Sequence, residues 1–274
     1  MRTLFNYGHE KRNDSRNIAE LVRLALTEQG EDAAEEAVKI LRFKGSREVL
    51  EAAARLSASE SADERQLGVD ILGQLGMPER TFPGECFEIL ATMLTKETDP
   101  NVLECIGVAL GHLKDPRAIE LLLPLKCHAS SDVRFGVVLG LTGHDSPAAI
   151  EAMIELSRDC EELVRTWATF ALGTVISTDT PEIREALLAR TSDPHDETRG
   201  EGLVGLALRK DQRVIEPLIS ELSSGIAGRL TLEAAEAIGD PRLYPALVEL
   251  KNCCSTDTPN AALLEDALAS CAPR

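Results

Sequence analysis

Apolar residues along this chain recur at helical spacing. In DPRAIELLLPL, starting at Asp115, they fall at i, i+3, i+4 and i+7, which makes one buried stripe. The same register returns in DSPAAIEAMIEL from Asp145, TPEIREALLA from Thr180, DQRVIEPLISEL from Asp211 and DPRLYPALVEL from Asp240. Each segment opens on Asp or Thr followed closely by Pro or a polar residue, an N-cap with a helix-compatible first turn. No alternating run of useful length predicts a strand. The pattern predicts an all-helical chain.

A second set of helices lies between these. VRTWATFALG from Val164 aligns with AAEEAVKILR from Ala33, ERQLGVDILG from Glu64, VLECIGVALG from Val102, VRFGVVLGLT from Val133, TRGEGLVGLA from Thr198 and LTLEAAEAIG from Leu230. Successive copies start 31 to 38 residues apart, room for two short helices and their turns. The joint from Gly239 to Arg242 stops one helix and caps the next. The stretches Ser57 to Glu64 and Leu75 to Gly84 read as loops, not as domain boundaries. The expected fold is a single all-α solenoid over residues 1–274, with an N-terminal extension at 1–13 and about eight helix pairs between 14 and 271. No pair can bury its apolar face alone, so the pairs stack into one core.

Charge narrows the function classes. Asp and Glu number 46 against 29 Lys and Arg, a formal net charge of -17. Such a chain repels nucleic-acid phosphates and speeds association with a basic partner. The seven cysteines follow no disulfide or zinc spacing, and most fall in apolar helical registers, so buried thiols are expected. The opening MRTLFNYGHEKRND lacks the apolar run of a signal peptide. No stretch approaches the roughly 18 apolar residues of a membrane span. These features fit a reducing cytoplasm.

The pattern D-P-R-x-I…V-R-x-x-A-x-x-A-L-G resembles HEAT-like repeats, in at least six copies over nearly the whole chain. In such repeats the Arg after the first anchor joins a ladder of acids between neighbouring units. Arg65, Arg134, Arg165 and Arg199 hold that place, Leu103 and Thr231 depart from it, and Asp132 and Glu197 are expected as ladder acids. The resemblance also implies that the second helix of each pair lines the concave face. Counting from each anchor as position 0, positions +2, +3 and +6 are expected to point toward the groove or its edge. They are Gln66, Leu67 and Asp70; Glu104, Cys105 and Val108; Phe135, Gly136 and Leu139; Thr166, Trp167 and Phe170; Gly200, Glu201 and Val204; and Leu232, Glu233 and Glu236. The groove would be apolar and aromatic at its middle and acidic at both ends, the anatomy of a protein-binding surface. The candidate contact residues are Trp167, Phe170, Phe135, Leu139, Thr166, Glu201, Val204, Glu233, Glu236, Glu104 and Asp70. The competing reading has Trp167 packed sideways on the neighbouring repeat.

Chemistry is sparse. No glycine-rich phosphate loop, HExxH, GxSxG or paired CxxC appears. The histidines are scattered, and His128 beside Cys127 has no metal-ligand partners in register. No catalytic residue, metal or cofactor is expected. DNA glycosylases with HEAT-like folds need a cationic groove, which the acidic rim opposes. Phycobilin lyases remain an alternative at the level of the fold alone.

The chain is also similar to bacterial HEAT-repeat proteins encoded beside Rhs-type polymorphic toxins. Between about Asp99 and Leu250 the likeness rests on VRTWATFALG, DTPEIREALL, GLALRKDQRVIEPL and EAIGDPRLYPAL. That resemblance implies an immunity protein: a cytoplasmic, non-catalytic inhibitor, monomeric when free, binding a toxin domain of basic surface. A general protein-binding scaffold is the alternative.

Overall fold

The computed structural model describes residues 11–27, 31–224, 227–253 and 260–273. Most of the expected N-terminal extension, together with His9 and Cys254, lies outside the described residues. Among the described residues there are sixteen α-helices, a few 3-10 and π turns, and no strand. The chain divides into two compact units, residues 1–141 and 142–274.

The first unit holds α1 (Ile18–Ala25), α2 (Glu31–Lys44), α3 (Arg47–Leu56), α4 (Ala62–Gln74), α5 (Pro83–Leu94), α6 (Pro100–Leu113), α7 (Ala118–Leu122) and α8 (Ser131–Leu141). They form four consecutive pairs, and the second helices α2, α4, α6 and α8 stack side by side. The caps are local: Ser46 accepts from Val49 N, Asp99 from Asn101 and Val102 N, and Asp115 from Arg117 N. Fully buried Ile40, Leu72, Ile106, Leu110, Leu122 and Leu141 fill the space between the two layers. The second helices nearly touch. A Cβ on Gly136 of α8 would stand 2.8 Å from the Glu104 Cα of α6, so only glycine fits there.

The second unit repeats this plan with α9 (Pro147–Leu156), α10 (Glu162–Phe170), α11 (Pro181–Arg190), α12 (Asp196–Leu208), α13 (Ile215–Ser223), α14 (Arg229–Ile238), α15 (Tyr244–Cys253) and α16 (Ala261–Ser270). Here α10, α12, α14 and α16 form the stacked second layer. Thr180 caps α11, as expected; Ser146, not Asp145, caps α9, while Asp145 accepts from Ser177 Oγ at 2.6 Å. Gly173 does not end α10. The helix runs into a π turn, Ala171–Val175, and a Cβ on Gly173 would meet the Gly205 Cα of α12 at 3.0 Å. Arg209, itself mostly buried, donates to the carbonyls of Leu172, Gly173 and Ile176, and so satisfies the groups that this turn leaves free.

Two arginine devices tie repeat to repeat. In the DPR-type turns, Arg117, Arg213 and Arg242 fold back on Asp115, Asp211 and Asp240, and Arg117 and Arg213 also reach Glu88 and Glu185 of the preceding first helix. In the second helices the expected ladder exists, with different acids. Arg65 meets Glu97, Arg165 meets Asp193 and Arg199 meets Glu221, each acid belonging to the following repeat. The same arginines donate to carbonyls five or six residues upstream, as does Arg134 to His128 and Ala129. Asp132 and Glu197 are exposed instead, because the residue just before the anchor turns outward. The thiols also divide: Cys86 and Cys271 are buried as expected, whereas Cys127, Cys160 and Cys253 are exposed.

Candidate partner-binding face

In the second unit the outward faces of three adjacent second helices make a continuous series. On α10 and its π turn, Leu163, Trp167, Phe170 and Thr174 repeat at helical spacing, at positions -1, +3, +6 and +10 from the anchor. Leu163 is 52% exposed and Trp167 39%. Phe170, half-buried, meets the Trp167 ring edge to face, with centroids 5.7 Å apart at 78°. On α12 the same stripe reads Glu197, Glu201, Val204 and Leu208, the last 51% exposed. On α14 it reads Arg229, Glu233 and Glu236. Arg229 and Glu236 are exposed, and Glu233 accepts from Arg229 Nη1 at 2.6 Å. The series runs from apolar, through mixed, to charged.

The outward sector of each helix is narrow, and this corrects part of the expected face. Position +2 turns into the seam with the next second helix. Thr166 is buried there, its hydroxyl 2.6 Å from the Thr198 hydroxyl, which in turn lies 3.1 Å from His195 Nδ1. Glu201 and Val204 lie on the outward stripe, yet each is only 8% exposed, because α10 and α14 close in on either side. Thr166 is therefore withdrawn from a partner, and Glu201 and Val204 each offer it only a small exposed part. Trp167, Phe170, Glu233 and Glu236 keep their surface. Leu163, Leu208 and Glu197, which the counted positions omitted, belong to the same stripe one turn further out in each direction. Extending the same register by one turn finds them.

The Glu201 carboxyl is pushed up to about 7, first by burial and then by the like charges of Glu197 and Glu233, against the pull of Arg229.

In the first unit the corresponding stripes are more polar. Asp70 of α4 lines a recess of about 620 Å³ with Asp63, Gln66, Leu67 and Cys105, and it is paired with Arg42. Glu104 of α6 is half-buried beside Gly136, and its carboxyl is raised by burial and by Asp132. Phe135 and Leu139 of α8 are half-buried. No large apolar side chain of this unit is exposed among the described residues; Leu163, Trp167, Val175 and Leu208 all belong to the second unit.

Other chemistry finds no assembled site among the described residues. No group of three or more His, Cys, Asp or Glu is placed to hold a metal ion. His128 Nδ1 accepts from Ser130 N in the turn before α8. No described helix is long and apolar enough to cross a membrane.

These helix pairs, stacked in two layers, define an all-α solenoid of HEAT-like repeats. The family model of HEAT repeats matches residues 87–173. The protein YibA of Escherichia coli, in strains K12 and O157:H7, is 26% identical over 215 residues, covering 76% of each chain. The X-ray structure of Escherichia coli YibA shares the fold with a TM-score of 0.75 at 23% identity, over 97% of this chain and 96% of that one. Kap121p superposes with a TM-score of 0.66 at 16% identity, covering 92% of this chain and 33% of its own. The chain is thus similar to YibA in sequence and fold, and over residues 87–173 to HEAT repeats.

Proposed function

We propose that the protein is an immunity protein, which binds a toxin domain stoichiometrically and neutralises it without catalysis. The binding face is the outward series on α10, α12 and α14. The observation that carries this reading is that exposed Leu163 and Trp167 of α10 and exposed Leu208 of α12 lie on the outward stripes of two neighbouring second helices, beside the acidic α14. Apolar surface gathered in one place and rimmed by charge is what partner-binding surfaces present. The acidic balance of the chain suits a basic toxin surface, and binding there would cover the toxin's active site or mimic its phosphate-rich substrate. The toxin resemblance of the repeats gives the partner its class. Such a protein would act in the cytoplasm, as a monomer until it meets its partner.

Co-expression tests the reading. The chain should rescue cells from the toxic product of the gene beside its own, and the double variant Trp167→Ala, Glu236→Lys should not. In calorimetry that variant should lose at least about tenfold in affinity, since truncating a central Trp typically costs about 2 kcal/mol or more. Unchanged affinity would remove this face from the proposal. Rescue of no neighbouring product would leave the general scaffold as the better reading.

A further inference from the structure

Glu201 stands on the outward stripe of α12 and is nonetheless 8% exposed. The seams on either side of it are closed, by the Thr166 and Thr198 hydroxyls toward α10 and by the Leu230 side chain against Gly200 toward α14. Among the described residues no hydrogen bond or ion pair reaches its carboxylate, and its oxygens are not sealed from solvent. The charges acting on it are Glu197 on its own helix and Glu233 and Arg229 on α14. Arg229 is already engaged by Glu233. Among the described residues the free chain therefore holds two acids one turn apart, Glu197 and Glu201, with no cation bonded to either, Arg229 acting on Glu201 only at a distance. A buried carboxylate in that state is unfavourable unless it is protonated or paired.

The surroundings select the kind of cation. No third carboxylate, His or Cys completes a metal-ligand set among the described residues. The wall beside the acids is apolar: Val204 is the next outward residue of α12, and Trp167 holds the register position of Glu201 one second helix earlier, about 10 Å away across packed helices. An aliphatic stem ending in a flat, weakly hydrated cation matches such a wall and floor. A guanidinium stacks on an aromatic ring and forks onto carboxylates, and an ammonium does neither as well.

We propose that Glu201 is the floor of a socket for one arginine side chain of the protein partner, with Glu197 as its second acid and Trp167 and Val204 as the wall along the stem. This rests on the reading of the face as partner-binding and names the partner group that enters it.

Trp167 is the only tryptophan in the chain, so its emission reports on the socket directly. The probe is a nona-arginine peptide titrated into the full chain at about 0.15 M salt, which screens the diffuse attraction of the net charge. The wild type should bind with a change in Trp167 emission. Glu201→Gln should weaken that binding about tenfold, the scale of one charge-assisted contact. Glu51→Gln, which removes the same charge from the exposed face of α3, should leave the affinity within about twofold. Glu201→Asp, with the charge kept and the reach shortened, should fall between. Equal weakening by Glu201→Gln and Glu51→Gln, or by neither, would overturn the socket. So would nona-lysine binding as tightly as nona-arginine, or a wild type that binds neither peptide. If the neighbouring toxin still binds through Trp167 while Glu201→Gln has no effect on either ligand, the socket fails and the face stands.

Discussion

Asp193 holds two repeats together through a single carboxylate. Its side chain is 3% exposed, and it accepts from Arg165 Nε and Nη2 at 2.9 and 3.0 Å, from Arg190 at 3.4 Å and from the His195 backbone N–H. Burial alone would raise its pKa, but these donors outweigh it and the carboxyl sits below its ordinary value. Asp193→Asn leaves Arg165 and Arg190 charged without their acid, and should cost about 3–5 kcal/mol in urea unfolding at pH 7. Because the folded pKa is depressed, this stabilisation is present above the unfolded carboxyl value of about 4 and is lost as the pH falls through the folded one. The deficit of the variant should therefore shrink below pH 4, and a deficit constant down to pH 2 would refute the linkage. Glu201 has the opposite sign. Its carboxyl is raised to about 7, so its contribution is intact below the ordinary Glu value and is lost as the pH rises toward 7. Glu201→Gln should stabilise the free protein at pH 8 by on the order of 2 kcal/mol, with the gain vanishing near pH 4. The two carboxylates are 8 residues apart in sequence, and they differ in whether donors bond them: Asp193 accepts from two arginines and a backbone N–H, whereas Glu201 feels only the field of Arg229.

At the scale of the element, the second helices work because they approach closely. A Cβ on Gly205 would lie 2.7 Å from the Gly173 Cα and 2.9 Å from the Leu187 side chain, and the first of these neighbours is backbone that cannot rotate away. Gly205→Val should lose about 3 kcal/mol or more from overpacking, read as a lower urea midpoint. Gly84→Ala, whose Cβ would meet nothing within 4 Å, should instead gain up to about 1 kcal/mol from helix propensity. These helices also show what was readable in the letters and what was not. The pairs, their order and the Asp and Thr caps other than Asp145 were legible, because periodicity and N-cap chemistry are local. The ladder arginines were legible at Arg65, Arg165 and Arg199, while their acids were not: Glu97 and Asp193 come from the next repeat's turns and Glu221 from its first helix, α13, whose placement the register of one helix does not set. The face was half legible. Trp167 and Phe170 stood out by residue type, but Thr166 turned into a seam, because a stacked helix is covered on both flanks as well as at its back. Arg209 was invisible beforehand, since nothing in the letters announces that α10 ends in a π turn needing a donor.

For the molecule as a whole, charge and apolar surface do different work in the proposed encounter. The net charge of -17 acts at long range and the cluster around Trp167 only on contact. Long-range attraction raises the association rate and is screened within a Debye length, about 10 Å at 0.1 M salt and about 3 Å at 1 M. Apolar burial and edge-to-face aromatic contact are nearly indifferent to that screening, and they govern how long the complex lasts. Stopped-flow mixing with the toxin domain, followed by Trp167 emission, separates the two. Raising salt from about 0.05 to 0.5 M should slow association tenfold or more and leave dissociation within about threefold. The converse variant is Leu163→Ala, which keeps every charge and the Trp167 reporter while removing exposed apolar surface. It should leave association within about twofold and speed dissociation severalfold. Should salt act mainly on dissociation, the acidic groups would have to be buried contacts of the complex and not a steering field. The outward stripe of α12 would then carry the affinity that is assigned here to α10.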